Sequence, residues 1–508
     1  MRNSTRLVVN TGAQYARTVI NLILSLYSTR LILQSLGVAD YGVFTLIAGV
    51  VSMLAFMTNA MVSTTQRFMS YHQTKSDLSV QQRIFGNSIL MHLLFSALVL
   101  VLLEVVGLFL FDGFLKIPPH RIHAAKIVYQ CAIAMILCSF ITAPFKALLI
   151  SHENIIYISI VEVLDGVLKV AIAILLTVMS HDKLVLYGYL MILIYVMNLT
   201  AFAIYDFRKY KECVLPKIKN FDKSYLKSMS SFVGWQLYST GCILGRTQGT
   251  AIILNRFFGA VINAAFGVAL QVSGAVSFIS SALLNSINPQ IVKAEGTGNR
   301  NRMFDLAEIA SKFSFLLLAM IVIPISFVLP ELLKAWLGRV PEKSVLFCQV
   351  ILYTALIDQI TYGLATANQA IGNIRPYALT VNTIKVLTLP LLWLLLQIGV
   401  PLEYSIWVYA VIELVCALCR LPFLKYSGDL SIEEFVRKVF LRLPIPVIFI
   451  SLCYFLLESI NIPLWAYIGC AVPVSLMYGV IIYYFALNRQ EKQSISLILN
   501  SIRNKIKR

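Results

Sequence analysis

The sequence predicts an all-α integral membrane protein of about fourteen transmembrane helices in two similar halves. Three observations predict it. Of the 508 residues, 58% are hydrophobic and only 13% charged, against about 25% charged in a typical soluble domain. Apolar stretches of about 20 residues, the length a helix needs to cross the hydrocarbon core, recur along the whole chain. The second half also repeats short patterns of the first.

The first span, near 11–34, sets the pattern. Asn10, Gln14, Arg17, Asn21, Ser25 and Ser28 follow one another at steps of three or four, which places them on one helical face. Val19, Ile20, Leu22, Ile23, Leu24 and Leu26 leave the other faces apolar. A cation inside such a span is costly unless it faces a bundle interior or a watery cavity, so this helix is expected to line a cavity. Leu36 to Gly42 (Leu-Gly-Val-Ala-Asp-Tyr-Gly) then reads as a tight turn into the second span. Arg2 and Arg6 precede a segment too long and too polar for a cleaved signal peptide, so the N-terminus is expected to be retained.

The remaining spans fall near 42–65, 86–111, 124–148, 156–179, 184–205, 229–254, 259–287, 311–334, 345–370, 376–398, 404–424, 440–460 and 464–487. Counted from an inner N-terminus, most of the 42 Lys and Arg fall on inner segments. The positive-inside rule then puts both termini in the cytoplasm. The net charge of +18 is accounted for by these loops, not by nucleic acid. The longest inner connection, Asp206 to Lys227, carries Arg208, Lys209, Lys211, Lys217, Lys219, Lys223 and Lys227, and suits an anionic lipid surface. It separates the halves. Tyr41-Gly42-Val43 with Gly49-Val50-Val51-Ser52-Met53 is echoed, at the same spacing, by Phe266-Gly267-Val268 with Gly274-Ala275-Val276-Ser277-Phe278. Ala147–Tyr157 is echoed by Ala367–Tyr377. Both halves enter from the same side, which implies parallel repeats. The expected division is 1–206, a linker 207–228, 229–425, a connection 426–439, two further spans in 440–487 and a basic tail 488–508.

The second half also opens on a polar-faced helix, with Gln236, Ser239, Arg246 and Thr250. Arg17 and Arg246 would make a cavity cationic, and guanidinium binds phosphate bidentately while keeping its charge. The expected substrate is therefore anionic, with Arg17 and Arg246 on a phosphate or diphosphate and Gln14, Asn21, Ser25, Gln236 and Ser239 on the remainder. The alternative is that both arginines pair with acids or backbone carbonyls in a static bundle. In the fifth span Asp165 and Lys169 stand at i, i+4 in the favourable order, which leaves Glu162 as an unpaired acid. Lys385 falls at the repeat equivalent of Asp165, with the opposite sign. Glu162, Glu104, Asp358 and Glu413 are candidates for proton or cation coupling, since intramembrane carboxylates can serve it. Arg30, Arg67 and Lys293 read as interfacial anchors.

Most of the nine cysteines lie in apolar spans and read as core residues. Cys416 and Cys419 have redox-motif spacing, but inside a membrane span they read the same way. No metal-binding spacing, phosphate-binding glycine loop or nucleophile constellation occurs. Neither enzyme activity nor a cofactor is expected.

The chain resembles the Wzx-type polysaccharide and O-antigen flippases of the multidrug/oligosaccharidyl-lipid/polysaccharide (MOP) exporter superfamily. The residues that carry this are Leu36–Gly42, Gln66-Arg67-Phe68, Trp336-Leu337-Gly338 with Pro341, and Ala370–Arg375 (Ala-Ile-Gly-Asn-Ile-Arg). The resemblance implies two six-helix lobes around a central cavity, with spans 13 and 14 peripheral. It further implies alternating access moving an undecaprenyl-diphosphate-linked oligosaccharide across the inner membrane, the diphosphate held by basic cavity residues. Expected partners are that lipid-linked glycan, membrane lipids, a proton or sodium ion, and a polysaccharide polymerase or other assembly proteins. A lipid II flippase and a MATE-like drug exporter share the fold, though the basic stripe disfavours the second. A non-transporting scaffold of a glycan assembly complex is the alternative of another class; its polar stripes would hold helices together.

Overall fold

A computed structural model describes residues 3–52, 54–73, 77–109, 111, 119–179, 182–215, 222–337, 340–460, 464–488 and 491–493. Lys217 and Lys219 of the basic connection, Gly338 of the Trp336 motif and most of the tail lie outside the described residues. Among those described, the chain is helical throughout and contains no strand. Nine helices are long and apolar enough to cross a bilayer, or up to eleven if each of two bent pairs counts as one span. Three expected spans fall outside that set: 42–65, divided between the end of α1 and α2, 229–254, rich in polar residues, and 156–179, which carries Glu162, Asp165 and Lys169.

The chain divides into two compact units, Val9–Leu237 and Met1–Val8 with Tyr238–Arg508. The first unit contains most of α1 (Asn3–Ser52), then α2 (Ala55–His72), α3 (Leu78–Phe109), α4 (Ile122–Ser151), α5 (Ile155–Val178), α6 (Lys183–Lys209) and the start of α7 (Lys223–Gly296). Its core is α4, which packs on α2, α3, α5 and α6. Small residues (Ala124, Ala125, Ala132, Ala143, Ala147) are fully or nearly buried along it, and such residues let membrane helices approach closely.

The turn after the first span is narrower than the motif suggested. Gly37 alone breaks the helix (φ 77°, ψ 166°), and Val38–Gly42 already belong to the next helical segment. Only glycine takes that conformation without strain. The second half uses the same device: Gly259 (φ 78°, ψ −171°) breaks α7. Asp40 has a definite place: Arg121 bonds both Asp40 and Asp182, and Asp182 caps α6 through the Leu184 N–H (3.2 Å). Arg67 lies over the rings of Phe68, Tyr71 and Phe232, 4.9–5.8 Å from their centroids.

The second unit continues through α8 (Arg300–Phe327), α9 (Leu329–Leu337), α10 (Ser344–Ile360), α11 (Tyr362–Ile371), α12 (Ile374–Tyr377), α13 (Thr383–Val386), α14 (Thr388–Gln397), α15 (Leu402–Ser405), α16 (Val408–Gly428), α17 (Ile432–Lys438), α18 (Pro444–Ser459) and α19 (Leu464–Ile481). Here α10 and α11 take the part that α4 plays in the first unit, packing on α8 and α16, but the span is bent by 48° at Thr361. The last two spans are fastened to α8. Tyr467 Oη donates to Pro324 O (3.1 Å), Tyr478 Oη to Leu316 O (3.2 Å), and buried Lys312 to Ala486 O (3.2 Å) and Glu491 (2.7 Å).

Between α12 and α13 the helix makes a π-turn, Ala378–Asn382. Such a turn adds one residue to the helix. The asparagines that begin the corresponding helices, Asn154 and Asn373, stand one residue out of step with the echo that aligns Tyr157 with Tyr377. Counted from those asparagines and allowing for the residue that the π-turn adds, Lys385 again falls at the position of Asp165.

Candidate functional site

The polar stripe of α1 is turned into its own unit. Asn10 and Gln14 are buried, Arg17 and Asn21 half-buried, and Val19, Leu22 and Ile23 exposed. Asn10 Nδ2 donates to Glu153 O (2.8 Å). Gly166 of α5 makes room for Asn21: a Cβ there would come within 2.9 Å of Asn21 Oδ1. Ser25 is exposed, and Ser28 Oγ donates to its carbonyl (3.1 Å).

Arg17 Nη1 donates to Glu162 Oε2 at 2.6 Å, and Lys146 Nζ bonds the other oxygen of the same carboxylate. Glu162, expected to be unpaired, therefore has two cationic partners. The second of them, Lys146, lies within the expected span 124–148 and projects from the last two turns of α4. The i, i+4 pair forms as expected, Lys169 to Asp165 at 2.6 Å, and Asn198 Nδ2 donates to the same acid (2.7 Å). The first unit thus sets Arg17, Lys146 and Lys169 against Glu162 and Asp165.

The second unit builds a tighter network. Arg246 Nη1 donates to Glu413 Oε2 (2.9 Å) and Lys385 Nζ to Glu413 Oε1 (2.7 Å). Lys385 also stands 3.6 Å from Asp358 Oδ1. Arg420 Nη2 donates to that same oxygen (2.6 Å), while its Nη1 reaches Asp358 O (3.2 Å) and Thr361 Oγ1 (3.1 Å). Arg420 therefore braces the break between α10 and α11, adding a donor to a carbonyl that accepts a long bond from the Thr361 N–H (3.4 Å). The Arg246 guanidinium lies over the Tyr409 ring, 4.0 Å from its centroid. Arg246, Lys385, Glu413 and Arg420 are buried; Asp358 is partly so. Again there are three cations and two acids. The exchange of sign between Asp165 and Lys385 now has a physical account. In the first unit the acids stand on α5; in the second the acids come from α10 and α16, and the counterpart helix supplies the cation.

The sequence marks four of these five groups and leaves out Arg420, although it lies within the expected span 404–424. Its signal was present: Glu413 and Arg420 are seven apart in an apolar helix, hence on one face. Of the other named residues, Ser239 is buried and Gln236 half-buried. Glu104 is exposed and accepts from Gln130 (3.3 Å).

A further acid escaped notice because it was read as the start of a loop. Asp206 lies in the last turn of α6, fully buried, and neither carboxylate oxygen has a hydrogen-bond partner among the described residues. Its charged neighbour is Glu212, which bonds His152, itself stacked on Tyr210 at 4.0 Å. Burial works to raise the Glu212 carboxyl, but the bond from His152 brings it below its ordinary range. Asp206→Asn replaces a buried carboxyl that faces another acid by an amide that cannot ionise, and is expected to raise Tm by a few degrees. A fall of several degrees in a thermal melt would mean that the carboxylate holds a partner.

No protein-family model and no curated protein matches the sequence. Solved structures do. A MATE mutant aligns with a TM-score of 0.70 at 12% identity, over 86% of this chain and 97% of that one. The MATE transporter ClbM in complex with Rb+ aligns with 0.69 at 14% identity, over 85% and 96%. A MOP-superfamily transporter from Pyrococcus furiosus, whose binding pocket of reverse polarity is said to suggest a different function, aligns with 0.66 at 13% identity, over 84% and 96%. The chain therefore has the fold of these MATE structures, with the apolar helices of a multi-span membrane protein.

Proposed function

We propose that this protein is a flippase. In this reading it moves an undecaprenyl-diphosphate-linked oligosaccharide from the cytoplasmic to the outer leaflet of a bacterial inner membrane, by alternating access, for surface polysaccharide synthesis. The supporting observation is the charge balance just described: in each unit three cations face two acids, Arg17, Lys146 and Lys169 against Glu162 and Asp165, and Arg246, Lys385 and Arg420 against Asp358 and Glu413. Surplus positive charge within membrane helices is costly, and an anionic cargo offsets it.

Arg17 and Arg246 are the proposed diphosphate ligands. Each is held by a carboxylate, and a phosphate oxygen can take the carboxylate's place as the cargo enters. Of the two acids, Glu162 is the better placed to exchange partners, being 27% exposed where Glu413 is 1%. Gln14, Asn21, Ser25, Gln236 and Ser239 are proposed to meet the glycan. A polymerase or another assembly protein would take the product on the outer face. The fold neighbours favour a second reading, drug export, and the cation surplus opposes any such cargo that is cationic.

The test separates cytoplasmic-face and outer-face pools of lipid-linked glycan in cells lacking the protein. Accumulation on the cytoplasmic face is expected, relieved by the parent gene. With Arg17→Gln or Arg246→Gln protein, inserted at parental levels, relief is expected to fall by tenfold or more, roughly the effect of losing one charge-assisted bond. Unchanged pools together with lost dye efflux would favour the drug reading. Loss of glycan synthesis without an intermediate would favour a scaffold.

A further inference from the structure

Lys385 sits where a small cation would sit. Its ammonium is 2.7 Å from Glu413 Oε1 and 3.6 Å from Asp358 Oδ1, between acids that come from two different helices and beside the break in the span between α10 and α11. An ammonium is a compact point charge with several donors, close in charge and contact distance to a potassium or rubidium ion among oxygens. The acids offer little room for a second cation. Glu413 Oε2 already accepts from Arg246 at 2.9 Å and Asp358 Oδ1 from Arg420 at 2.6 Å. The bonded oxygens Glu413 Oε1, Glu413 Oε2 and Asp358 Oδ1 each face a side-chain cation, and the two carboxyls are also in contact with each other.

The placement of Lys385 has a local cause. The π-turn Ala378–Asn382 ends just before it. Without that added residue the helix beyond would be turned by about 100°, and residue 385 would leave this face. The added turn thus serves to present the ammonium to the acids.

We propose that Lys385 is a tethered cation, filling the position between Asp358 and Glu413 that a mobile monovalent cation would otherwise take, so that this unit works without binding sodium, potassium or rubidium there. The inference concerns the ion and stands on the geometry of one unit, whatever the cargo. It carries a charge argument that can be tested. Replacing Lys385 by alanine leaves two arginines and two acids with a space between them, and a bound monovalent cation returns the network to its parental charge.

The experiment follows thermal unfolding of the purified full chain in choline, sodium, potassium and rubidium chlorides at equal ionic strength. The parent and Lys385→Arg are expected to melt at the same temperature in all four. Lys385→Ala is expected to melt several degrees higher in at least one alkali chloride than in choline, saturably, and Lys385→Ala/Asp358→Asn is expected to lose the response. If Lys385→Ala is folded only when an alkali cation is present, the proposal is equally supported. Two results overturn it. One is a parent stabilised by a particular alkali cation and desensitised by Asp358→Asn, which would place a mobile ion beside Lys385. The other is a Lys385→Ala protein that no alkali cation stabilises or recovers. Because glycan pools are not measured, this outcome is separate from that of the flippase test.

Discussion

Replacing Glu413 by glutamine is expected to destabilise the second unit by about 3–5 kcal/mol, the usual cost of removing one partner of a buried ion pair. Glu413 is 1% exposed, and its two oxygens accept from different cations, Arg246 and Lys385. The amide keeps the shape but offers a single acceptor oxygen and turns an N–H group toward one of the cations. Three buried or nearly buried cations would then share Asp358 alone. Thermal unfolding and folded yield after purification measure the effect. The double substitution Glu413→Gln with Lys385→Met returns the network to its parental surplus of one positive charge. It is expected to recover a good part of the loss, a coupling that a double-mutant cycle isolates. A Glu413→Gln protein as stable as the parent, or a double variant with strictly additive losses, would dissolve the network account.

The second large effect is expected at Gly363, in the first turn of α11. A Cβ built there would stand 2.0 Å from Ala307 O and 2.8 Å from Ser311 Oγ, both on α8. The first of these is backbone, so no rotamer change relieves it. The Gly363 N–H donates to Ser311 Oγ (3.0 Å), which fixes the same approach from the other side. Gly363→Ala must push α11 away from α8, at a cost of about 3 kcal/mol or more. The same displacement would disturb the bend at Thr361 that Arg420 holds. Gly234, where a Cβ would meet nothing within 4 Å, is the matched control, and Gly234→Ala is expected to be nearly neutral. Equal melting of the two variants would mean that α8 and α11 are not in close contact.

Much of this protein was legible in its sequence, for reasons that can be named. Membrane spans must satisfy their backbone groups internally, so an apolar chain with short loops is all-helical. Polar residues at helical steps mark the face turned inward, and Asn10, Gln14 and Arg17 are indeed turned away from the exposed Val19, Leu22 and Ile23. The pair Asp165–Lys169 lies within one turn and needed no tertiary information. Short echoes suggest repeated halves, and each half has a helix broken at a glycine, Gly37 and Gly259, although these two stand 222 residues apart where the echo runs at 225.

What tertiary structure alone decided is which charges meet. Glu162 and Arg17 are far apart in sequence, as are Arg246 and Glu413, and helical periodicity gives the face of each residue but not the helix opposite. Lys146, Lys312 and Arg420 lie near the ends of the expected spans, and only the neighbouring helices make Lys312 and Arg420 buried and Lys146 partly so. Asp206 looked like the start of a loop for the same reason. The π-turn before Lys385 has no signature in composition or hydropathy, yet one added residue chooses which side chain enters the network. The sequence by itself determined the helices, their polar faces and the surplus of positive charge; the pairing of those charges depends on contacts between distant segments, which only the packed chain defines.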